Sequence, residues 1–159
     1  MGRFTRMNTA YRVWDGEQMF YSMDGGLSLS IGLIKPDNEY GWCLWLDGFG
    51  TIADNADGKS VLMNGSDQFE IGQFDSDGKG AYRPGTRIYA GDIVKQEEAA
   101  HGGLFGPEPF IGVVKMIDGS WCIVNEKKEE CRPLFSETAT NKVIGDVHQN
   151  PELLEGAEE

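Results

Sequence analysis

Asp-Gly occurs six times in this chain, at positions 15–16, 24–25, 47–48, 57–58, 77–78 and 118–119, and Asn64-Gly65 adds a dipeptide of the same kind. These pairs tolerate the positive φ angles that tight hairpin turns demand. The 22 glycines among 159 residues are roughly twice ordinary usage of about 7%. They are not periodic, which excludes a collagen-like rod, and they lie between apolar runs as turn residues rather than in a low-complexity tract. Between the turns the hydrophobic period is two. Leu27, Leu29, Ile31 and Leu33 alternate with Ser28, Ser30, Gly32 and Ile34, and Tyr40, Trp42, Leu44 and Leu46 alternate with Gly41, Cys43, Trp45 and Asp47. This is the pattern of short strands with one buried face, so the fold class is mainly β.

The clearest local unit runs from Val113 to Val124. A two-residue turn at Asp118-Gly119 places Met116 opposite Trp121 and Val114 opposite Ile123 on one wholly apolar face. The other face pairs Ile117 with Ser120, Lys115 with Cys122 and Val113 with Val124, and a one-residue slip would destroy that sorting. Val61 to Gly65 reads as a short strand ending in a turn. Helix is scarce: Lys95 to Ala100 is expected to make one or two turns, stopped by Gly102 and Gly103. A second short helix is expected at the C-terminal end, with Asn150 as N-cap, Pro151 in the first helical position and Glu152 at the positive end of the dipole. The segment from His101 to Pro109 is a loop by its glycines and prolines, and its Leu104 and Phe105 form a candidate interaction loop unless they tuck onto the core.

A formal charge of −12 opposes direct binding to nucleic acid, which requires a basic surface. The last nine residues carry four of these charges, leaving the body near −8. Solubility accounts for that acidity, and mimicry of a nucleic-acid surface is the sharper alternative. Three cysteines, Cys43, Cys122 and Cys131, without CxxC spacing fit reduced thiols better than a disulfide framework. The N-terminus lacks the apolar run of a signal peptide and no stretch reaches a membrane span, so a cytoplasmic protein without a membrane partner is expected.

Chemical motifs fail on inspection. Gly58-Lys59-Ser60 has the end of a P-loop, but Ala53 stands where its first glycine belongs. Gly48 to Ala53 matches GxGxxA after an apolar strand, yet the polar Asp54–Gly58 cannot extend the helix that motif requires. Around Asp75 to Gly80, neither calcium-loop frame works: one puts Lys79 at a ligand position and Thr86 where Glu belongs, the other begins at Gln73 and ends at Pro84. His101 and His148 are the two histidines, and no spacing pairs either with Cys122 or Cys131 as a nucleophile. The expectation is therefore no catalytic, cofactor or metal residues.

Phe74 to Lys79 followed by Ile88 to Val94 resembles, in the YopX family of phage and prophage proteins, an Asp-x-x-Gly-Lys turn leading to I-Y-x-G-D-I-V. Gly112-Val113-Val114 is similar to the family's G-x-V strand, and Val143 to Leu154 resembles V-I-G-N-I-Y-x-N-P-E-L-L. Tyr11 to Asp15 with Met19 resembles the opening R-x-W-D…M. The similarity covers about 11–21 and 69–154; Asp146 replaces Asn, Val147-His148 replaces Ile-Tyr, the segment from Gly80 to Arg87 is longer, and 22–68 carry no such match. The resemblance implies a phage or prophage origin and hands over architectural residues: Arg12, Trp14, Asp15, Gly78, Tyr89, Gly91, Asp92, Val94, Gly112, Val114, Gly145, Asn150 and Pro151.

Gly91-Asp92 is expected to turn the chain into a strand, Gly112 to open the next, and Trp14 to enter a core. Turn, strand, long loop and hairpin suggest a small SH3-like barrel at about 85–148. The expected layout is a β-rich segment at 1–70, a YopX-like barrel region at 71–155 and a frayed acidic tail at 156–159. The expected function is a non-enzymatic accessory protein that binds a host or phage protein, including another copy of itself, through loop aromatics such as Phe105 and Phe110. Acidic mimicry and an enzyme with an unrecognised site are the rivals.

Overall fold

The turn density and the two-residue period translate into fourteen short strands and a single helical turn among the described residues of a computed structural model. Those residues are 10–34, 39–74, 80–83, 85–98 and 108–155. The chain divides into two units, 1–65 and 66–159.

In the first unit, β1 (Tyr11–Trp14) pairs antiparallel with β2 (Met19–Tyr21) across the Asp15-Gly16 turn. Asp15 Oδ1 holds that turn by accepting the N–H groups of Glu17 and Gln18, both at 2.8 Å. Next, β3 (Leu27–Ile34), β4 (Glu39–Leu46) and β5 (Gly50–Asp54) form a three-stranded antiparallel sheet with Leu29 opposite Leu44. Val13, Leu44 and Ala53 are its buried core, with Tyr11, Phe20, Leu27, Leu29 and Trp42 packed around them. Strand alternation thus points Val13 inward, and Trp14 is half-buried outside that cluster rather than in the core as expected. Arg12 is buried on β1, opposite Tyr21 on one side and Met63 on the other.

The strand β6 (Val61–Phe69) corrects the turn expected at Asn64-Gly65. Gly65 donates its N–H to Ala10 O at 2.9 Å, and Asn64 lies opposite Tyr11, so the dipeptide is held extended by ladder partners. Beyond it, within the second unit, β6 neighbours β9 (Arg87–Tyr89), after the small ribbon of β7 (Gln73–Phe74) and β8 (Tyr82–Arg83).

The second unit is built on β10 (Asp92–Glu98), β11 (Phe110–Ile117), β12 (Ser120–Asn125), β13 (Glu130–Pro133) and β14 (Ala139–Asp146). Their order is β13-β12-β11-β10-β14, all antiparallel. The expected hairpin forms with the register read from the sequence, Val114 opposite Ile123 and Met116 opposite Trp121. Asp118 and Gly119 both take positive φ, 50° and 82°, the pair of angles a type I′ turn needs. Ile88, Val94, Phe110, Val114, Ile123 and Leu134 are the buried core.

Three expectations change here. Lys95 to Glu98 continues β10 instead of forming a helix, because Gln96 is 3% exposed and pairs with Phe110 on one side and Asn141 on the other. Strand β11 begins at Phe110, two residues before Gly112, and Phe110 is core at 2% exposure with the Arg132 guanidinium 4.4 Å over its ring, so it offers nothing to a partner. The expected barrel region is a curled five-stranded sheet, and among the described residues no ladder joins its β13 edge to its β14 edge. Side-chain carboxamides bridge that gap. Gln96 Nε2 donates to Pro133 O at 3.2 Å and to Asn141 Oδ1 at 3.1 Å, and Asn141 Nδ2 donates to Leu134 O at 2.8 Å. The helical turn α1 (Glu152–Glu155) forms where expected.

Candidate functional site

The residues singled out by their motif separate into an architectural knot and positions elsewhere. Gly91 donates its N–H to Val114 O and accepts from Val147 N–H, both at 3.0 Å, tying β11 to the chain beyond β14. Asp92, opposite Asp146, accepts the N–H of Tyr89 at 2.8 Å and so closes the turn into β10. Asp146 in turn accepts the N–H groups of His148 and Gln149 at 2.9 Å and the Gln149 side-chain amide at 2.7 Å.

Asn150 turns its side-chain oxygen back to the Asp146 N–H at 3.3 Å, while its backbone carbonyl accepts Leu153 N–H and that of Pro151 accepts Leu154 N–H. The side chain therefore fastens α1 to β14 instead of capping the helix. A Cβ at Gly145 would lie 2.7 Å from both Asn150 Oδ1 and Leu153 Cδ1, which explains glycine at that place beneath the helix. The structure thus brings together Tyr89, Gly91, Asp92, Val114, Gly145, Asn150 and Pro151, while Val94 is core and Gly112 lies on β11 against the Val124 backbone of β12. Arg12, Trp14 and Asp15 belong to the first unit, and Gly78, Leu104 and Phe105 lie outside the described residues.

Sequence reading missed an open cleft of about 510 Å³ in the second unit, lined by Asp67, Gln68, Ser120, Trp121, Pro133 and Phe135. Three chain segments build it. The outer half of β6 supplies Asp67 and Gln68, placed there because buried Ser66 donates its hydroxyl to Ile88 O at 2.7 Å and accepts the Gln68 N–H at 3.0 Å. Strand β12 supplies Ser120 and Trp121, whose ring packs partly on the core. Leu134, fully buried, donates its N–H to Trp121 O at 3.0 Å, and this anchor sets Pro133 and Phe135 on either side of it. Phe135 is 60% exposed, and Met116, opposite Trp121, is 50% exposed, so the hairpin's apolar face is fully covered at its Val114–Ile123 end and opens toward Met116.

Among the described residues, Asp67 is the sole charged side chain lining the cleft, and Gln68 Nε2 donates to its Oδ1 at 3.3 Å. The chemistry on offer is apolar and aromatic contact, one carboxylate, one carboxamide and one hydroxyl.

A second cleft, of about 280 Å³, is lined by Glu70, Arg83, Thr86 and Lys142 among others. Its carboxylate is occupied structurally: Glu70 accepts Thr86 Oγ1–H at 2.7 Å and Val143 N–H at 3.0 Å, and Ile71 N–H bonds Asn141 O at 3.0 Å along the β14 edge. Among the described residues, no group of three or more His, Cys, Asp or Glu is placed to hold a metal ion, and no helix is long and apolar enough to cross a membrane. All three cysteines are free thiols.

A mainly β chain with a curled five-stranded sheet, its glycines placed by motif, defines the class. The pattern of the YopX protein family matches residues 10–155, and the chain belongs to that family. The match includes the stretch 22–68 that carried no recognisable motif. The SPbeta prophage-derived uncharacterized protein YopX of Bacillus subtilis (strain 168) is 35% identical over 161 residues, covering 94% of this chain and 98% of its own. The X-ray crystal structure of protein yopX from Bacillus subtilis superposes with a TM-score of 0.63 at 33% identity, covering 93% of this chain and 97% of that one.

Proposed function

We propose that this chain is a prophage accessory protein of the bacterial cytoplasm that binds another protein through the second unit's cleft and catalyses no reaction of its own. The observation that carries this reading is Phe135, a large apolar side chain left 60% exposed beside Trp121 and Pro133. Exposed aromatic clusters with a polar rim are characteristic of protein-binding surfaces. The test is affinity capture from lysate of a bacterial host with the native chain and with Phe135→Glu. A stoichiometric protein retained by the first and lost by the second supports the reading; the same proteins on both, or none, refutes it.

The charge of −12 favours acidic mimicry as a second reading. That reading requires capture of a nucleic-acid-binding protein, competed by DNA and weakened steeply by salt, irrespective of Phe135.

A further inference from the structure

Resting on that protein-binding reading, we infer that the occupant of the cleft is an extended, proline-containing, basic segment of the partner. Trp121, Pro133 and Phe135 present three rings on one open surface, with no enclosed pocket for a single bulky anchor. Proline-rich segments are already extended when free, and their rings pack on aromatic faces at small entropic cost. Their carbonyl groups are unpaired, and the Gln68 carboxamide and Ser120 hydroxyl at the rim supply donors for them.

Addition of a strand is disfavoured at this place. The neighbouring edge strand β13 ends in Pro133, which has no N–H to offer a ladder. The charge of the segment follows from Asp67, among the described residues the one acidic side chain in the lining, set in a chain of net charge −12. An arginine or lysine meets both that carboxylate and the aromatic faces, whereas an acidic segment is repelled by the cleft and by the whole chain. A second copy of this acidic chain is disfavoured as occupant for the same reason.

The experiment is an NMR titration of the full-length, nitrogen-15-labelled chain with three synthetic peptides. The first alternates proline with alanine and ends in two arginines; the second ends in two glutamates; the third keeps the arginines but has glycine for proline. The arginine–proline peptide is expected to shift the Trp121 indole N–H and the Gln68 and Ser120 amides saturably. The other two are expected to bind at least tenfold more weakly. Phe135→Glu should abolish these shifts while leaving the remaining spectrum unchanged, as its exposure allows, and Asp67→Asn should weaken binding several-fold and flatten its salt dependence.

Equal binding of the glutamate peptide, saturable shifts elsewhere on the chain, or concentration-dependent shifts of the cleft without peptide would overturn the inference. Failure of all three peptides overturns the occupant alone when a Phe135-dependent partner is captured from lysate. Without such a partner, it overturns the protein-binding reading as well.

Discussion

Replacing Gly112 with alanine places a methyl group against a backbone that cannot step aside. Its Cβ would lie 2.6 Å from Val124 O, 2.8 Å from Val124 C and 2.9 Å from Ile123 Cγ2. The β11–β12 ladder ends at the neighbouring pair Val113–Val124, and beyond it Asn125 Nδ2 donates to Ile111 O at 2.9 Å in place of a backbone bond. Gly112 thus lies directly against the backbone of β12. Relief requires the two strands to part there, straining a packed core at about 1–3 kcal/mol and losing the Asn125 bond at about 1 kcal/mol.

A total near 3 kcal/mol, with a urea dependence of about 2 kcal/mol per molar, lowers the unfolding midpoint by about 1.5 M. Far-UV circular dichroism in urea measures it. Gly25→Ala is the control, since a Cβ there meets nothing within 4 Å, and it should stay within about 0.5 kcal/mol of the native chain. If Gly112→Ala unfolds at the same urea concentration as Gly25→Ala, the close approach at Gly112 does not carry this cost.

Asn141→Ala strips the buried carboxamide bridge, leaving Gln96 Nε2 short of one acceptor and Leu134 O short of one donor, and is expected to cost about 2–3 kcal/mol in the same urea assay. Asp57 gives a pH signature. Burial pushes its carboxyl up, but the Ser60 hydroxyl and the N–H groups of Lys59, Ser60 and Asp54 outweigh this and hold it well below the ordinary carboxylate range. The unfolded chain then binds the proton more readily, so this contribution is present above the unfolded value of about 3.9 and lost as pH falls below it. Urea midpoints should therefore drop more steeply below pH 4 for the native chain than for Asp57→Asn; parallel curves would contradict the assignment. Among the thiols, burial, then Cys131 and Asp118 nearby, pushes the Cys122 pKa up, while Cys131 is exposed. Iodoacetamide at pH 8 followed by peptide mass spectrometry should find Cys131 alkylated before Cys122.

Where a local pattern and a local cause coincide, the structure could be read in advance. The Val113–Val124 hairpin is such a case, because one Asp-Gly turn and one alternation fix its register together. Asn64-Gly65 shows the limit: the same turn chemistry is overridden when the chain finds ladder partners, here near Ala10 and Tyr11, more than fifty positions earlier. The run at 95–98 looked helical because inward Gln96 is polar, and only its contacts with Pro133 and Asn141 explain a carboxamide in a core. Phe110 follows a glycine- and proline-rich segment, so its burial was invisible locally. The cleft had no signal of its own: Asp67, Trp121 and Phe135 share neither motif nor period, and only the Leu134 anchor and the β6–β9 contact assemble them.

The position of β10 bears on how the chain is made. Its partner β11 follows within the same stretch of synthesis, but the residue facing Glu98 on the other side, Ala139, emerges 41 residues later. At about 5–20 residues per second, the ribosome leaves that flank of β10 unpaired for about 2–8 s. An open strand edge is a template for foreign chains during such an interval. The nascent protein is therefore most vulnerable just before β14 arrives, and slow codons between 99 and 138 should lower its soluble yield more than the same codons placed after 146.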